Sequence, residues 1–250
     1  VKERTPSLDY IREFAESMPK AYRGQHGASE VAEHAGVALR RDAQVAHVER
    51  VTETQGAPGA LCVVAEDSPG LLATISAALV LSGLDVIDAT AHTRKTPLGR
   101  KEAVDLFWVR YADPSQWSAA ISDQAVADVE ANLLQLLEGR LDREVASRRT
   151  PPVPAKVSET TVRFLENAEG DLCTLEVETD DRSGLLLALA QALFSQQVQI
   201  VESSVQTRAG HVLDRFSIEE LDGKAINPGR RLEIQVAVLS ALHIAPRSTR

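Results

Sequence analysis

Apolar positions along the chain change their period several times. Leu61-Cys-Val-Val-Ala65 is a short apolar run, and Leu172 to Thr179 alternates Leu172, Thr174, Glu176 and Glu178 against Cys173, Leu175 and Val177, as a half-buried strand does. A turn rich in Asp, Ser, Pro and Gly follows each. Helical stripes come next, Leu71, Leu72, Ile75 and Leu79, then Leu185, Leu186, Leu189 and Leu193, both spaced i, i+1, i+4, i+8 as one buried face requires. Leu84 to Thr93 and Ala103 to Tyr111 flank a Pro97/Gly99 tip, while Val198 to Thr207 and Val212 to Leu221 flank Ala209-Gly210, so both pairs read as hairpins. A second helix closes each stretch. One spans about Ser122 to Glu138 with Val126, Val129, Leu133 and Leu137 on one face and Gly139 as its stop; the other has Asn227 as cap, Pro228 in first position, and Leu232, Val236 and Leu239 facing inward.

The two stretches are copies. Asp67-Ser-Pro-Gly-Leu-Leu72 and Asp181-Arg-Ser-Gly-Leu-Leu186 lie 181 − 67 = 114 apart, and Leu79 falls on Leu193, Asp88 on Glu202 and Thr93-Arg94 on Thr207-Arg208 at the same offset. Asp105-Leu-Phe107 matches Asp214-Arg-Phe216 at 214 − 105 = 109, so the second copy is 114 − 109 = 5 residues shorter at its hairpin tip. A leading strand precedes each copy, Gln44 to Thr52 with Val45, Val48 and Val51, and Thr160 to Asn167 with Val162 and Phe164, and fills the fourth place in the sheet. The expected fold is α+β: two tandem ferredoxin-like units, each a four-stranded antiparallel sheet with two helices on one face. The division reads as a helical linker segment over 1–42, a first domain over 43–140, a linker over 141–159 with Pro151-Pro-Val-Pro154 as a stiff connector, and a second domain over 160–245. Ser7 to Met18 and Ser29 to Leu39 are helical, the first capped by Ser7, and too small to make a core alone.

Composition narrows the partners. A formal charge of −9 opposes the basic stripe that neutralises phosphates, so neither nucleic acid nor anionic membrane is expected. Cys62 and Cys173 are too few for a disulfide framework or a four-cysteine zinc site and read as buried thiols of a reducing compartment. The longest nearly apolar run, Leu71 to Leu81, is well below the ~20 residues of a membrane helix, and Val1 to Tyr10 lacks a signal pattern, so the expected location is the cytoplasm.

A strand, then Asp-x-Pro-Gly-Leu-Leu opening a helix, then a hairpin ending in Val104-Asp-Leu-Phe-Trp-Val109, resembles the ACT domain, a regulatory amino-acid-binding unit. With its leading strands, the tandem is similar to the ACT pair of the PII uridylyltransferase/uridylyl-removing family of nitrogen sensors. Phe14-Ala-Glu-Ser-Met-Pro-Lys-Ala-Tyr22 and Glu30-Val-Ala-Glu-His-Ala35 resemble the segment that leads into that pair. None of the six histidines is followed by Asp, and no Asp-x-Asp pair or Gly-rich phosphate loop occurs. No catalytic residue, metal ligand or cofactor is therefore expected. The resemblance implies a non-catalytic module that binds a small amino acid, glutamine, and acts on a catalytic domain in cis or in trans, with a possible homodimer through ACT units. The alternative is a dimerisation or protein-docking module without ligand.

The physics of a site follows. A helix N-terminus presents unpaired N–H groups and partial positive charge, so the turns Asp67, Ser68, Pro69, Gly70, Leu71 and Asp181, Arg182, Ser183, Gly184, Leu185 can hold a ligand carboxylate. Asp67 and Asp181 can accept from an α-ammonium group, and Asp88 or Glu202 lies where the resembled family places side-chain contacts. The plainer reading is that both aspartates only cap their helices. Ser183 stands where proline is expected, which predicts a looser or differently shaped second turn. Arg94 and Arg208 read as solvated strand ends, the Arg140 to Arg149 stretch as a solvated helix end, His34 as a surface or packing residue, and Phe107, Trp108 and Phe216 as core.

Overall fold

The computed structural model describes residues 4–52, 56–148, 160–165 and 173–243. Three helices come first, α1 (Leu8–Ser17), α2 (Lys20–Gln25) and α3 (Ala28–Arg41). Then follow β1 (Ala46–Val51), β2 (Gly59–Glu66), α4 (Leu71–Leu81), β3 (Leu84–Lys95), β4 (Lys101–Tyr111) and α5 (Asp123–Leu137). A short helix, α6 (Arg143–Ser147), precedes the second round of β5 (Thr161–Leu165), β6 (Cys173–Asp180), α7 (Leu185–Ser195), β7 (Val198–Arg208), β8 (His211–Glu220) and α8 (Pro228–His243). The expected connector Pro151 to Pro154 and the strand ends at 166–167 and 172 lie outside the described residues.

Each round forms an antiparallel four-stranded sheet, and the two join edge to edge in the order β1-β2-β4-β3-β7-β8-β6-β5. The joint is an antiparallel pairing of β3 with β7, from Asp88 opposite Gln206 to His92 opposite Glu202. Thr90 faces Ser204 at its centre, and 204 − 90 = 114, the repeat offset. Each copy thus meets the other through the same residues, and a pseudo-twofold axis passes between Thr90 and Ser204. The leading strands take the outer edges. The missing hairpin residues fall at the tips, where β3 and β4 are joined by 96–100 and β7 and β8 by Ala209-Gly210.

Helices α4, α5, α7 and α8 lie on one face of this sheet, over a core that includes Leu61, Ile75, Leu79, Phe107, Leu133, Leu175, Leu189 and Phe216. The expected caps at Ser7 and Asn227 form, with Tyr10 N–H donating to Ser7 Oγ at 3.2 Å and Arg230 N–H to Asn227 Oδ1 at 3.1 Å, and Ser122 Oγ likewise accepts the Ala125 N–H at 3.1 Å. The rotation of α8 differs from expectation: Leu232 and Val236 are exposed, Ile234, Val238 and Leu242 are buried, and Leu239 packs at the margin. The helix carries apolar residues on two sides, so periodicity alone did not choose between them.

The opposite face distinguishes the copies. In the first, Ala60, Cys62, Val64, Val104, Leu106 and Trp108 make that face apolar as well, and α1 to α3 cover it through Phe14, Met18, Tyr22, Val31, Ala35 and Val37. The leading helices are thus not a mere linker; the sheet supplies the second half of their core. In the second copy the corresponding face is polar, with Glu176 held by Arg163 at 2.8 Å and Arg215 at 2.8 Å, and water can remain there.

Two buried polar groups fix α1 to α3. Glu102, 3% exposed, accepts from Arg94 Nε at 2.6 Å and from Arg41 Nε at 2.9 Å, and Arg94 lies 4.6 Å from the Phe14 ring centroid and donates to Ser17 Oγ at 3.1 Å. Arg94 is therefore buried, against the expectation of a solvated strand end, because these helices roof it over; Arg208, without such a roof, is exposed. Beside this pair Tyr22 Oη and His34 Nδ1 stand 2.7 Å apart, and the rings of His26 and His92 pack on Tyr22. Burial pushes His34 and His92 down to about 4 and lowers His26, so the rings are neutral near neutral pH.

Removing the Glu102 carboxylate in Glu102→Ala leaves two guanidinium groups without their partner, and we expect a loss of about 3–5 kcal/mol in urea unfolding. The histidines set a pH limit. The folded-state values of His34 and His92 lie below the unfolded one, so their contribution is complete above about 6.5 and falls as pH drops towards 4, by up to ~1.4 kcal/mol per unit for each of these two rings. Hydrogen exchange should show α3 opening more at pH 5 than at pH 7.5, and equal protection at both would refute this coupling.

Candidate functional site

Because β3 pairs with β7, each Asp-x-x-Gly turn faces the other copy. The first cleft is formed by Asp67, Gly70 and Leu71 together with Phe194 of α7 and Val198 and Gln199 of β7, over a floor that includes Ala91, Ala103 and Asp105. The second is its counterpart, with Asp181, Arg182, Gly184 and Leu185 facing Ser76 and Val80 of α4 and Asp85 of β3, over Val205, Val212 and Asp214. Their cavity volumes are about 30 Å³ and 20 Å³, room for one or two waters each.

The turns themselves are alike. Gly70 has φ 78° and Gly184 φ 74°, both in the left-handed region where glycine is unstrained, and each stands at the N-cap without a side-chain capping bond. The substitution of Ser183 for proline leaves the second glycine's conformation unchanged, against the expectation of a differently shaped turn. Neither aspartate is the N-cap residue. Asp67 instead accepts from Gln199 Nε2 at 3.3 Å and Thr93 Oγ1 at 3.4 Å, so it is held by both copies. Asp181 shares Arg110 Nη2 with Asp85, each at 3.1 Å, and the Gly184 N–H donates to Asp85 Oδ1 at 3.4 Å. Burial raises the pKa of Asp67 and of Asp181, and Asp85 adds to the rise at Asp181.

The clefts differ in what fills them. Arg110, stacked 4.5 Å from the Trp117 ring centroid, puts a cation between the two carboxylates of the second cleft. At the first, Phe194 closes on Gly70 so tightly that a β-carbon there would stand 2.6 Å from Phe194 Cδ2. Arg143 stacks on that ring at 4.5 Å and reaches the Gly70 carbonyl at 3.5 Å. Arg143 belongs to α6, inside the stretch expected to be a solvated helix end; Ala146, fully buried, holds that helix against the protein.

The remaining sequence candidates are divided. Ser68, Pro69 and Ser183 belong to the turns but do not line the two clefts. Asp88 accepts the Thr207 N–H at 3.0 Å across the joint, and Glu202 stands 3.5 Å from His92 Nδ1, beside the ring that packs on Tyr22; both are pushed up by burial and neither lines a cleft. Asp105 and Asp214 were visible in sequence only as markers of the repeat. Their signal was a carboxyl on the same strand face as Phe107 and Phe216, where apolar residues are expected. Among the described residues no group of three or more His, Cys, Asp or Glu is placed to hold a metal, and no helix is long and apolar enough to cross a membrane.

Comparison with known proteins supplies the relatives. No family model matches the chain. It is 30% identical over 196 residues to the bifunctional uridylyltransferase/uridylyl-removing enzyme of Gluconobacter oxydans, covering 76% of this chain and 20% of that enzyme. The enzyme of the same name from Rhodospirillum rubrum is 29% identical, over 78% of this chain and 21% of its own length, and that of Phenylobacterium zucineum is 25% identical, over 94% and 25%. The chain is homologous to part of these enzymes. It spans about a fifth to a quarter of their length, and its fold is compatible with tandem ACT domains.

Gly70 can be tested against Gly99, which has a similar φ of 76° and open space around an added β-carbon. Gly99→Ala should cost about 1 kcal/mol through backbone strain alone. Gly70→Ala should cost clearly more in urea unfolding, and equal losses would mean that Phe194 does not press on the turn.

Proposed function

We propose that this chain is a non-catalytic regulatory module that binds a small amino acid, glutamine, in the cytoplasm, and thereby controls uridylylation and deuridylylation in nitrogen signalling. The observation that carries the reading is the placement of each Asp-x-x-Gly turn against the opposite copy. Only a paired arrangement creates the clefts, so a ligand seated there changes how the two units sit together. The proposed contacts are Asp67, Ser68, Pro69, Gly70, Leu71 and Asp88 for the first turn, and Asp181, Arg182, Ser183, Gly184, Leu185 and Glu202 for the second. Free N–H groups at the start of α4 or α7 favour the ligand's carboxylate, and the acidic side chains favour its ammonium group. The first cleft is the stronger site, since the second already holds the Arg110 cation. Entry requires Phe194 and Arg143 to swing away from Gly70, because the closed cavity takes only water. The proposed units are 43–140 and 160–245, with 1–42 as the segment through which a change at the joint reaches a catalytic domain.

The names of the relatives support the nitrogen-signalling context, and the glutamine assignment follows from the ACT resemblance. A docking or dimerisation role without ligand is the second reading. Its support is the outward stripe of Leu232, 65% exposed, and Val236, 55% exposed, on α8. It calls for an oligomer whose size ignores amino acids.

Thermal unfolding against a panel of amino acids separates the readings. A ligand at a hundredfold excess over Kd stabilises the native state by about 2.7 kcal/mol, so glutamine should raise the midpoint in proportion to the logarithm of its concentration. Gly70→Phe should abolish the rise, and a flat response across the panel would leave only the docking reading.

A further inference from the structure

The floors of both clefts carry a buried carboxyl that the fold leaves only partly partnered. Asp105 and Asp214 occupy matching places on β4 and β8, are 3% and 0% exposed, and line the first and second cleft respectively. Asp105 Oδ1 accepts the His92 N–H at 3.3 Å, the one hydrogen bond of this carboxyl among the described residues. Neither oxygen of Asp214 makes a well-formed hydrogen bond, although the Gln206 amide, the counterpart of the His92 amide, acts on it. Burying an unpaired acid is costly even when it is neutral, whereas a leucine or alanine on the same strand face would join the core. Two such acids at equivalent places, each below a helix N-terminus, leave an acceptor aimed into each cleft with nothing to accept from.

We propose that Asp105 in the first cleft, and Asp214 in the second, take the ammonium group of the bound amino acid, while the turn above takes its carboxylate. This rests on the amino-acid reading above and adds the group that recognises the amine. Burial pushes Asp105 up to about 8, with nearby Asp67 adding to the rise, so its carboxyl holds its proton through most of the neutral range; Asp214 is pushed well above its usual value by burial, with Asp181 and Asp88 adding to the rise. The other ionisable groups around Asp105 are the buried thiol of Cys62 and the neutral ring of His92, with Lys101 acting on Asp67 and Arg143 at the cleft's mouth. Around Asp214 they are Asp85, Arg182 and the bridging Arg110. When the ammonium group arrives, the carboxyl gives its proton to solvent and pairs as a carboxylate, so each occupied cleft releases up to one proton near neutral pH. Affinity should then rise with pH, by up to tenfold per unit, until the empty cleft's acid is itself ionised or the ligand's amine loses its proton.

Three measurements on the full chain test this. Glutamine should bind with proton release, seen as an enthalpy that depends on buffer ionisation in calorimetry at pH 7. Glutaramate, which keeps the carboxylate and the amide but lacks the amine, should bind at least tenfold more weakly. The double variant Asp105→Asn/Asp214→Asn should be as stable as the parent or more so without ligand, and should lose the glutamine-dependent rise in midpoint. If the variant keeps the full rise, or glutamine binds without proton release, the inference is overturned while the amino-acid reading stands. If no amino acid binds the parent chain, both fall together. Should the variant not fold, the calorimetry on the parent decides alone.

Discussion

The pairing of β3 with β7 is the contact on which the rest depends. Two units that shared only a connector would each leave a strand edge open and a helix-opening turn in solvent. Joined through Thr90 and Ser204, they satisfy each other's backbone groups and bring each turn under the other unit's helix. The repeat gives the arrangement its near-symmetry, because a surface that pairs with its own copy needs only one set of complementary residues.

Much of this could be read from the chain. Periodicity and turn residues located the strands and the two long helices of each copy, with the Asn227 cap of α8, and the constant offset of 114 placed the copies in register. What escaped were features decided by the pairing of distant segments. The burial of Arg94 depends on a roof supplied by α1, and the closure of Gly70 by Phe194 depends on a residue more than a hundred positions away. The inward face of α8 was misjudged because Leu232 and Val236 repeat at helical spacing as well as Ile234 and Val238 do. The role of α1 to α3 was legible in principle: Ala60, Cys62, Val64, Val104, Leu106 and Trp108 make a strand pair apolar on both sides, which calls for cover on both.

The copies have diverged in a physically consistent way. The first spends its outer sheet face on a second core, whereas the second keeps Glu176 with two arginines there. The clefts follow a similar division, one closed by a phenyl ring and a guanidinium, the other bridged by Arg110. The two turns thus share closely similar glycine conformations while different side chains fill the clefts in front of them.

His92 belongs to both halves of this design. Its amide hydrogen points to Asp105 on the cleft side, while its ring rests on Tyr22 among the leading helices on the other. A single peptide plane therefore forms the partition between two compartments of opposite character, a cleft floored by a carboxyl and a core of packed rings. The sheet is thus one residue thick between cleft and leading helices, and the same residue is held from both sides.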